Sequence, residues 1–118
     1  IGTGWGGLAM HAAREHGVYV SVGISEGTDA SVGCLWNSNL LIGPDGSILN
    51  QHRKLVPTNH ERLIWGQGDG GGLEAIETPI GRIGGLICWE NYMPLARFSL
   101  YASGVEVYIA STDDDGDA

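Results

Sequence analysis

Apolar residues recur along the chain in two rhythms. Over residues 3–16, Leu8, Ala9, Ala12 and Ala13 fall on one side of a helical repeat, which predicts a helix, and Gly17 stands where helices commonly end in the left-handed region. Residues 18–24 and 34–42 are runs of β-branched and apolar side chains, the composition of buried strands. After the second run comes Gly43-Pro44-Asp45-Gly46, a strong turn signal, because proline presets one dihedral and glycine accepts a positive φ. Residues 47–54 are then expected to return antiparallel as the second arm of a hairpin. The rhythm is lost over residues 55–72, where Pro57 and Gly66, Gly68, Gly70, Gly71 and Gly72 predict no regular element. Ordered loops of that length in compact domains tend to be functional. Periodicity resumes with a strand at 73–77, a turn at Thr78-Pro79-Ile80-Gly81 and a strand at 82–87. A helix follows at 94–103 with Leu95, Phe98 and Ala102 on one face, then Gly104 as its stop and a strand at 105–110. Interleaved helices and strands without an internal repeat predict an α/β or α+β layered architecture.

Composition narrows the class. The 118 residues suffice for one small domain, and 42% apolar against 17% charged residues describes a globular chain rather than a disordered one. No apolar run approaches the roughly 20 residues that span a bilayer, and no charged leader precedes a short apolar stretch. The start at Ile1 and the stop at Ala118, just after an acidic run, suggest an internal piece of a domain, truncated at both ends. A net charge of -8 repels phosphate backbones and anionic headgroups, so neither nucleic acid nor membrane is an expected partner. Two cysteines, Cys34 and Cys88, cannot build the disulfide framework of a small secreted domain. A reduced, cytoplasmic chain with a thiol available for chemistry is expected.

Cys88 follows the apolar strand Ile83-Gly84-Gly85-Leu86-Ile87 and precedes the helix expected near Pro94. At such a corner the amides of a helix start favour a thiolate and can donate to an oxyanion. Gly84 and Gly85 leave room beside the strand for another backbone or a substrate. The alternative is a buried, inert cysteine, which is how Cys34, beside Leu35 and Trp36, is read. His52-Arg53-Lys54 reads first as a solvated strand edge. A lysine there could also stabilise developing negative charge, with Glu61, seven residues on, keeping it charged and oriented. His52 and His60 lack ligand spacing with either cysteine and read as surface or loop histidines. Thr112-Asp113-Asp114-Asp115-Gly116-Asp117 looks like the start of a calcium loop, but no closing glutamate follows.

Two blocks carry a resemblance. His52-Arg53-Lys54-Leu55-Val56-Pro57-Thr58 with Glu61-Arg62, Trp65-Gly66 and Gly68-Asp69-Gly70 resembles the lysine-bearing block of nitrilases, in the carbon-nitrogen hydrolase superfamily. Glu77-Thr78-Pro79, Gly81-Arg82-Ile83-Gly84 and Cys88-Trp89-Glu90-Asn91-Tyr92-Met93-Pro94-Leu95-Ala96-Arg97 resemble the cysteine block. The resemblance implies part of a four-layer αββα sandwich carrying a Glu-Lys-Cys set. Cys88 matches the nucleophile, Lys54 the catalytic lysine, and Glu61 a second glutamate that positions the lysine. The Trp89 backbone amide is the implied oxyanion donor, although its side chain could equally be ordinary packing at the corner. The general-base glutamate of the family lies upstream of anything in this chain. Glu26, in a setting that suits a loop, is a poor substitute.

The implied reaction is hydrolysis of a small-molecule nitrile through a covalent Cys88 intermediate, with no metal or organic cofactor, in a homo-oligomer. Cys88-Trp89-Glu90 resembles nitrilases more than the amidases or carbamoylases of the superfamily. A truncated, non-catalytic module is the alternative from another class, since the base is missing. A thiol redox protein would need a Cys-x-x-Cys pair, and the chain has none.

Overall fold

A computed structural model of the chain describes residues 4–113, which divide into two compact units at Gly72. In the first, helix α1 (Gly4–His16) precedes an antiparallel meander of β1 (Val20–Thr28), β2 (Ser31–Ile42) and β3 (Ile48–Arg53), in the order β1-β2-β3. Strand alternation explains the core: Leu40 and Ile42 project from one face of β2 and are fully buried together with Ala13 of α1. Ala9, Met10, Val20, Val22, Ile24 and Ile48 surround them. Each fully buried Leu or Ile contributes roughly 1.5–3 kcal/mol. The expected helix stripe is rotated. Ala9 and Ala13 face the sheet with Met10, whereas Leu8 is exposed.

The first hairpin went unforeseen. β1 continues through Glu26 to Thr28, and β2 begins at Ser31 rather than at residue 34. Glu26 pairs with Trp36 in the ladder and is therefore no loop residue. Its carboxylate is buried, accepts the Ser38 hydroxyl at 2.6 Å, and takes the Arg53 guanidinium at 3.1 Å from Nε to both oxygens. Arg53 in turn lies 4.0 Å over the Trp36 ring. The Arg53 bonds, against the opposing effect of burial and aided by Ser38, hold the Glu26 carboxyl at about 2 instead of 4.5. A depressed carboxyl stabilises the fold above its ordinary value and loses that stabilisation as pH falls towards the folded value. The contribution is about 3 kcal/mol at neutral pH, disappearing between about pH 4.5 and pH 2. Glu26→Gln is expected to lower the melting temperature at pH 7 and to flatten its decline across that window. A variant whose acid profile superimposes on the parent's would contradict this.

In the second unit, β4 (Ile76–Thr78) and β5 (Gly81–Ile87) form an antiparallel pair. The chain then crosses through α2 (Pro94–Ala102) to β6 (Val107–Ser111), which lies parallel to β5. Ile83, Leu86 and Ile87 of β5 and Ala96 and Leu100 of α2 are buried. The apolar face of α2 that the spacing picks out is exposed: Leu95 and Phe98 are 83% and 65% accessible. Ala96 and Leu100, one helical repeat apart, take the inner face instead. No helix among the described residues is long and apolar enough to cross a membrane. Most of the acidic run, residues 114–117, lies outside the described residues; Thr112 and Asp113 are exposed.

Candidate active site

Lys54 follows β3 directly, and its amide donates to Asn37 O at 2.8 Å, carrying the ladder one residue further. It is no solvated edge. The residue is 1% exposed, and its ammonium donates to Thr58 Oγ1 at 2.8 Å and to Glu61 Oε2 at 2.7 Å. His52 is buried as well, contrary to the surface reading, while His60 is exposed. Strand alternation explains the pair: residues 52 and 54 share one face and Arg53 takes the other.

Residues 55–72, expected to lack regular structure, contain a one-turn 3₁₀ helix at Asn59–Leu63. Its third residue is Glu61, whose Oε2 also accepts the Thr58 amide at 2.8 Å. Burial works to raise the Glu61 carboxyl, but the Lys54 ammonium and the Thr58 amide outweigh it and leave it below its ordinary value. The rest of the loop is tied down. Trp65 Nε1 donates to Ser25 Oγ at 3.2 Å, Trp36 Nε1 to Gln67 O at 3.2 Å, and the Gly66 amide to Leu35 O at 2.7 Å. The Gly68 amide reaches Lys54 O at 2.9 Å. A Cβ added at Gly68 or Gly72 would fall inside the contact distance of the Arg53 or Gln51 carbonyl, so only glycine lets the loop rest on the β3 main chain.

In the second unit, Cys88 sits at the end of β5 as the first residue of another one-turn 3₁₀ helix, Cys88–Tyr92. The helix expected near Pro94 is thus preceded by a tighter turn that begins at the cysteine itself. Cys88 has φ +53°, a left-handed conformation costing a non-glycine residue about 1–2 kcal/mol. Three contacts hold it. Glu90, 1% exposed, accepts the Ile87 amide at 2.7 Å. Asn91 Nδ2 donates to Cys88 O at 2.7 Å, and the Tyr108 hydroxyl donates to Asn91 Oδ1 at 2.7 Å. The space that Gly84 and Gly85 leave is filled by protein: Ala75 and Leu100 stand against Gly84, and the Ile109 main chain against Gly85.

Trp89 is 62% exposed, and its ring lies 5.3 Å from that of Tyr92. Cys34 is half-buried and lies outside the buried core, a correction to its reading as core filler. Lys54 and Glu61 are therefore brought together in the first unit, while Cys88 and Trp89 form the elbow of the second. Thr58, Glu90 and Asn91 stood within the two blocks without an assigned part, and Tyr108 lay outside both. No group of His, Cys, Asp and Glu among the described residues is arranged to hold a metal ion.

Comparison with known proteins adds an independent line. Residues 8–117 match the family model for carbon-nitrogen hydrolases. An aliphatic nitrilase of Sinorhizobium fredii (strain HH103) is 47% identical over 107 residues, covering 91% of this chain and 33% of that protein. Nitrilase 1 of Arabidopsis thaliana is 48% identical over 102 residues, 86% of this chain and 29% of its own length. A bifunctional nitrilase/nitrile hydratase of Lupinus angustifolius, NIT4A, is 48% identical over 102 residues, 86% of this chain and 28% of its own. The chain spans about a third of the length of these relatives. Among solved structures, a carbon-nitrogen hydrolase from Helicobacter pylori G27 matches with a TM-score of 0.82 at 24% identity, over 96% of this chain and 40% of that one. An amidase from Nesterenkonia sp. AN1 matches with a TM-score of 0.83 at 15% identity, over 95% of this chain and 43% of that one. At such identities the structural likeness bears on the fold alone.

Proposed function

Because this chain belongs to the carbon-nitrogen hydrolase family, we propose that the protein is a nitrilase whose nucleophile is Cys88. The observation that carries the reading is the elbow: a cysteine in the left-handed region at a strand end, its carbonyl and the preceding amide both held by buried or half-buried side chains. The roughly 47% identity to nitrilases over most of the chain supports the branch.

The Cys88 sulfur attacks the nitrile carbon, and the thiol proton passes through a general base to the nitrile nitrogen, giving a thioimidate. Water adds, ammonia leaves, and a thioester remains. A second water then cleaves the carbon–sulfur bond, releasing the carboxylic acid and restoring the thiol. Dividing one hydrolysis into these steps is the advantage of a covalent intermediate. Lys54, which donates to Glu61 and Thr58, is the cation, and the Trp89 amide the hydrogen-bond donor, that the resemblance assigns to the negative charge developing on nitrogen or oxygen. Glu26 is not the base. Both its oxygens are engaged by Arg53, and a carboxyl held at about 2 is a weak proton acceptor at neutral pH. The resemblance assigns the base to a glutamate that none of residues 1–118 matches. For the homo-oligomer implied by the resemblance, exposed Leu95, Phe98 and Tyr101 offer an apolar surface.

The test is to supply the full-length protein with aliphatic and aromatic nitriles and with the matching carboxamides. Acid and ammonia from nitriles, with a mass adduct on Cys88 in quenched samples, is expected. Turnover of carboxamides alone would make it an amidase. Carboxamide as the main product would instead mean that the carbon–sulfur bond breaks before ammonia leaves.

A further inference from the structure

We propose that Asn91, locked in orientation by Tyr108, aims the Trp89 amide at the charge developing on the substrate. The proposal rests on the reading of Cys88 as nucleophile and adds two positioning residues to it.

The argument begins with one planar unit. The carbonyl of Cys88 and the N–H of Trp89 belong to the same peptide, and in a trans peptide they point in opposite directions. Asn91 Nδ2 donates to that carbonyl at 2.7 Å. Whatever fixes the carbonyl therefore also fixes where the Trp89 N–H points. Rotating the peptide about its flanking bonds would break the Asn91 bond and turn the amide with it. The left-handed φ of Cys88 makes such a restraint necessary, because the residue occupies a conformation that its own side chain disfavours.

A side chain held at one end only can swing away from the carbonyl, so Asn91 needs a second anchor. A carbonyl only accepts, so the Cys88 oxygen requires the nitrogen end. The oxygen end then faces Tyr108, whose hydroxyl donates to it at 2.7 Å from β6, 17 residues away in sequence. Burial is the main cause that raises the Tyr108 hydroxyl above its ordinary value, so it keeps the proton it donates at neutral and mildly alkaline pH. A turned-over Asn91 would set its oxygen against the Cys88 carbonyl oxygen, two acceptors with no proton between them. The carbonyl thus decides which end of the amide faces it, and Tyr108, by donating to the other end, anchors the side chain and with it the peptide.

The test compares two reactions of the same sulfur in the full-length protein. Nitrile turnover builds negative charge beside the elbow; alkylation of Cys88 by iodoacetamide is a displacement at carbon that builds no such charge on an oxyanion donor's partner. Asn91→Leu is expected to lower kcat by roughly 10- to 100-fold and Tyr108→Phe by about 10-fold, a fraction of what losing an oxyanion donor outright costs. KM should stay within about twofold. The Cys88 alkylation rate should be unchanged in both variants. Unchanged kcat in both variants, or alkylation falling in step with turnover as for a merely loosened elbow, overturns the proposal. Tyr108→Phe removes one atom and keeps the ring, which provides a readout if Asn91→Leu folds poorly. Failure of the parent's Cys88 to react with iodoacetamide at all would instead remove the nucleophile reading beneath it.

Discussion

Cys88→Ala in the full-length protein is expected to abolish nitrile hydrolysis, lowering kcat on the order of 10⁴- to 10⁶-fold, while leaving the fold in place. The magnitude is that of deleting a nucleophile from a group that acts as a unit: without the sulfur no covalent intermediate forms, and the remaining charge-stabilising groups have nothing to act on. Retention of the fold follows from the elbow. Cys88 is half-buried and its main chain is held by Asn91, whose bond runs to the backbone and survives the change. Alanine inherits the same left-handed dihedral and the same strain, so the melting temperature should move by no more than a few degrees. Ammonia release measured beside circular dichroism decides the matter. A folded variant that keeps a tenth of the parent's activity would show that the chemistry runs without this thiol.

Lys54→Met is expected to cost both activity and stability, with kcat falling about 10²- to 10³-fold, as when a single charge-stabilising donor is removed. Methionine fills most of the 1%-exposed site but cannot satisfy the Glu61 carboxylate, which then keeps only the Thr58 amide among its bonds to Lys54 and Thr58. Breaking a fully buried pair costs about 3–5 kcal/mol; Glu61 is 23% exposed, so about 2–3 kcal/mol is expected here. The loss has a pH signature. Glu61 lies below its ordinary value in the folded protein, so its contribution is present above the usual carboxylate range and fades as pH falls through the lowered value. The variant should lose stability relative to the parent at neutral pH, and the gap should close on acidification. Denaturant melts at several pH values would show it, and a constant gap would mean that the pairing is not the source.

What could be read from the chain was whatever depends on neighbours in sequence. The Gly43–Gly46 turn, the β5 run into Cys88 and the succession of β5, α2 and β6 are local patterns, and each element is found where periodicity places it. The first hairpin escaped because its turn, Asp29-Ala30, carries neither glycine nor proline and because Glu26 looks like a loop residue until Arg53 and Ser38 are seen against it. α2 misled for a different reason. It is apolar on two faces, and no rule of spacing says which of them meets the sheet.

The chemistry divides the same way. Cys88, Lys54 and Glu61 were identified through their resemblance blocks, yet burial of the lysine was invisible, since a basic triplet ordinarily faces water. Asn91 and Tyr108 meet only through the parallel pairing of β5 with β6, a contact that no window along the sequence contains.

The bare seats at Gly68 and Gly72 bear on how this protein can be diversified. Any lineage, natural or in a mutant library, that alters residues 64–72 must leave those two positions without side chains, or the strap lifts from the strand that leads into Lys54. Novelty is thereby channelled to Asp69, which is exposed between them, because Gly70 holds a φ of +78° that side chains rarely adopt.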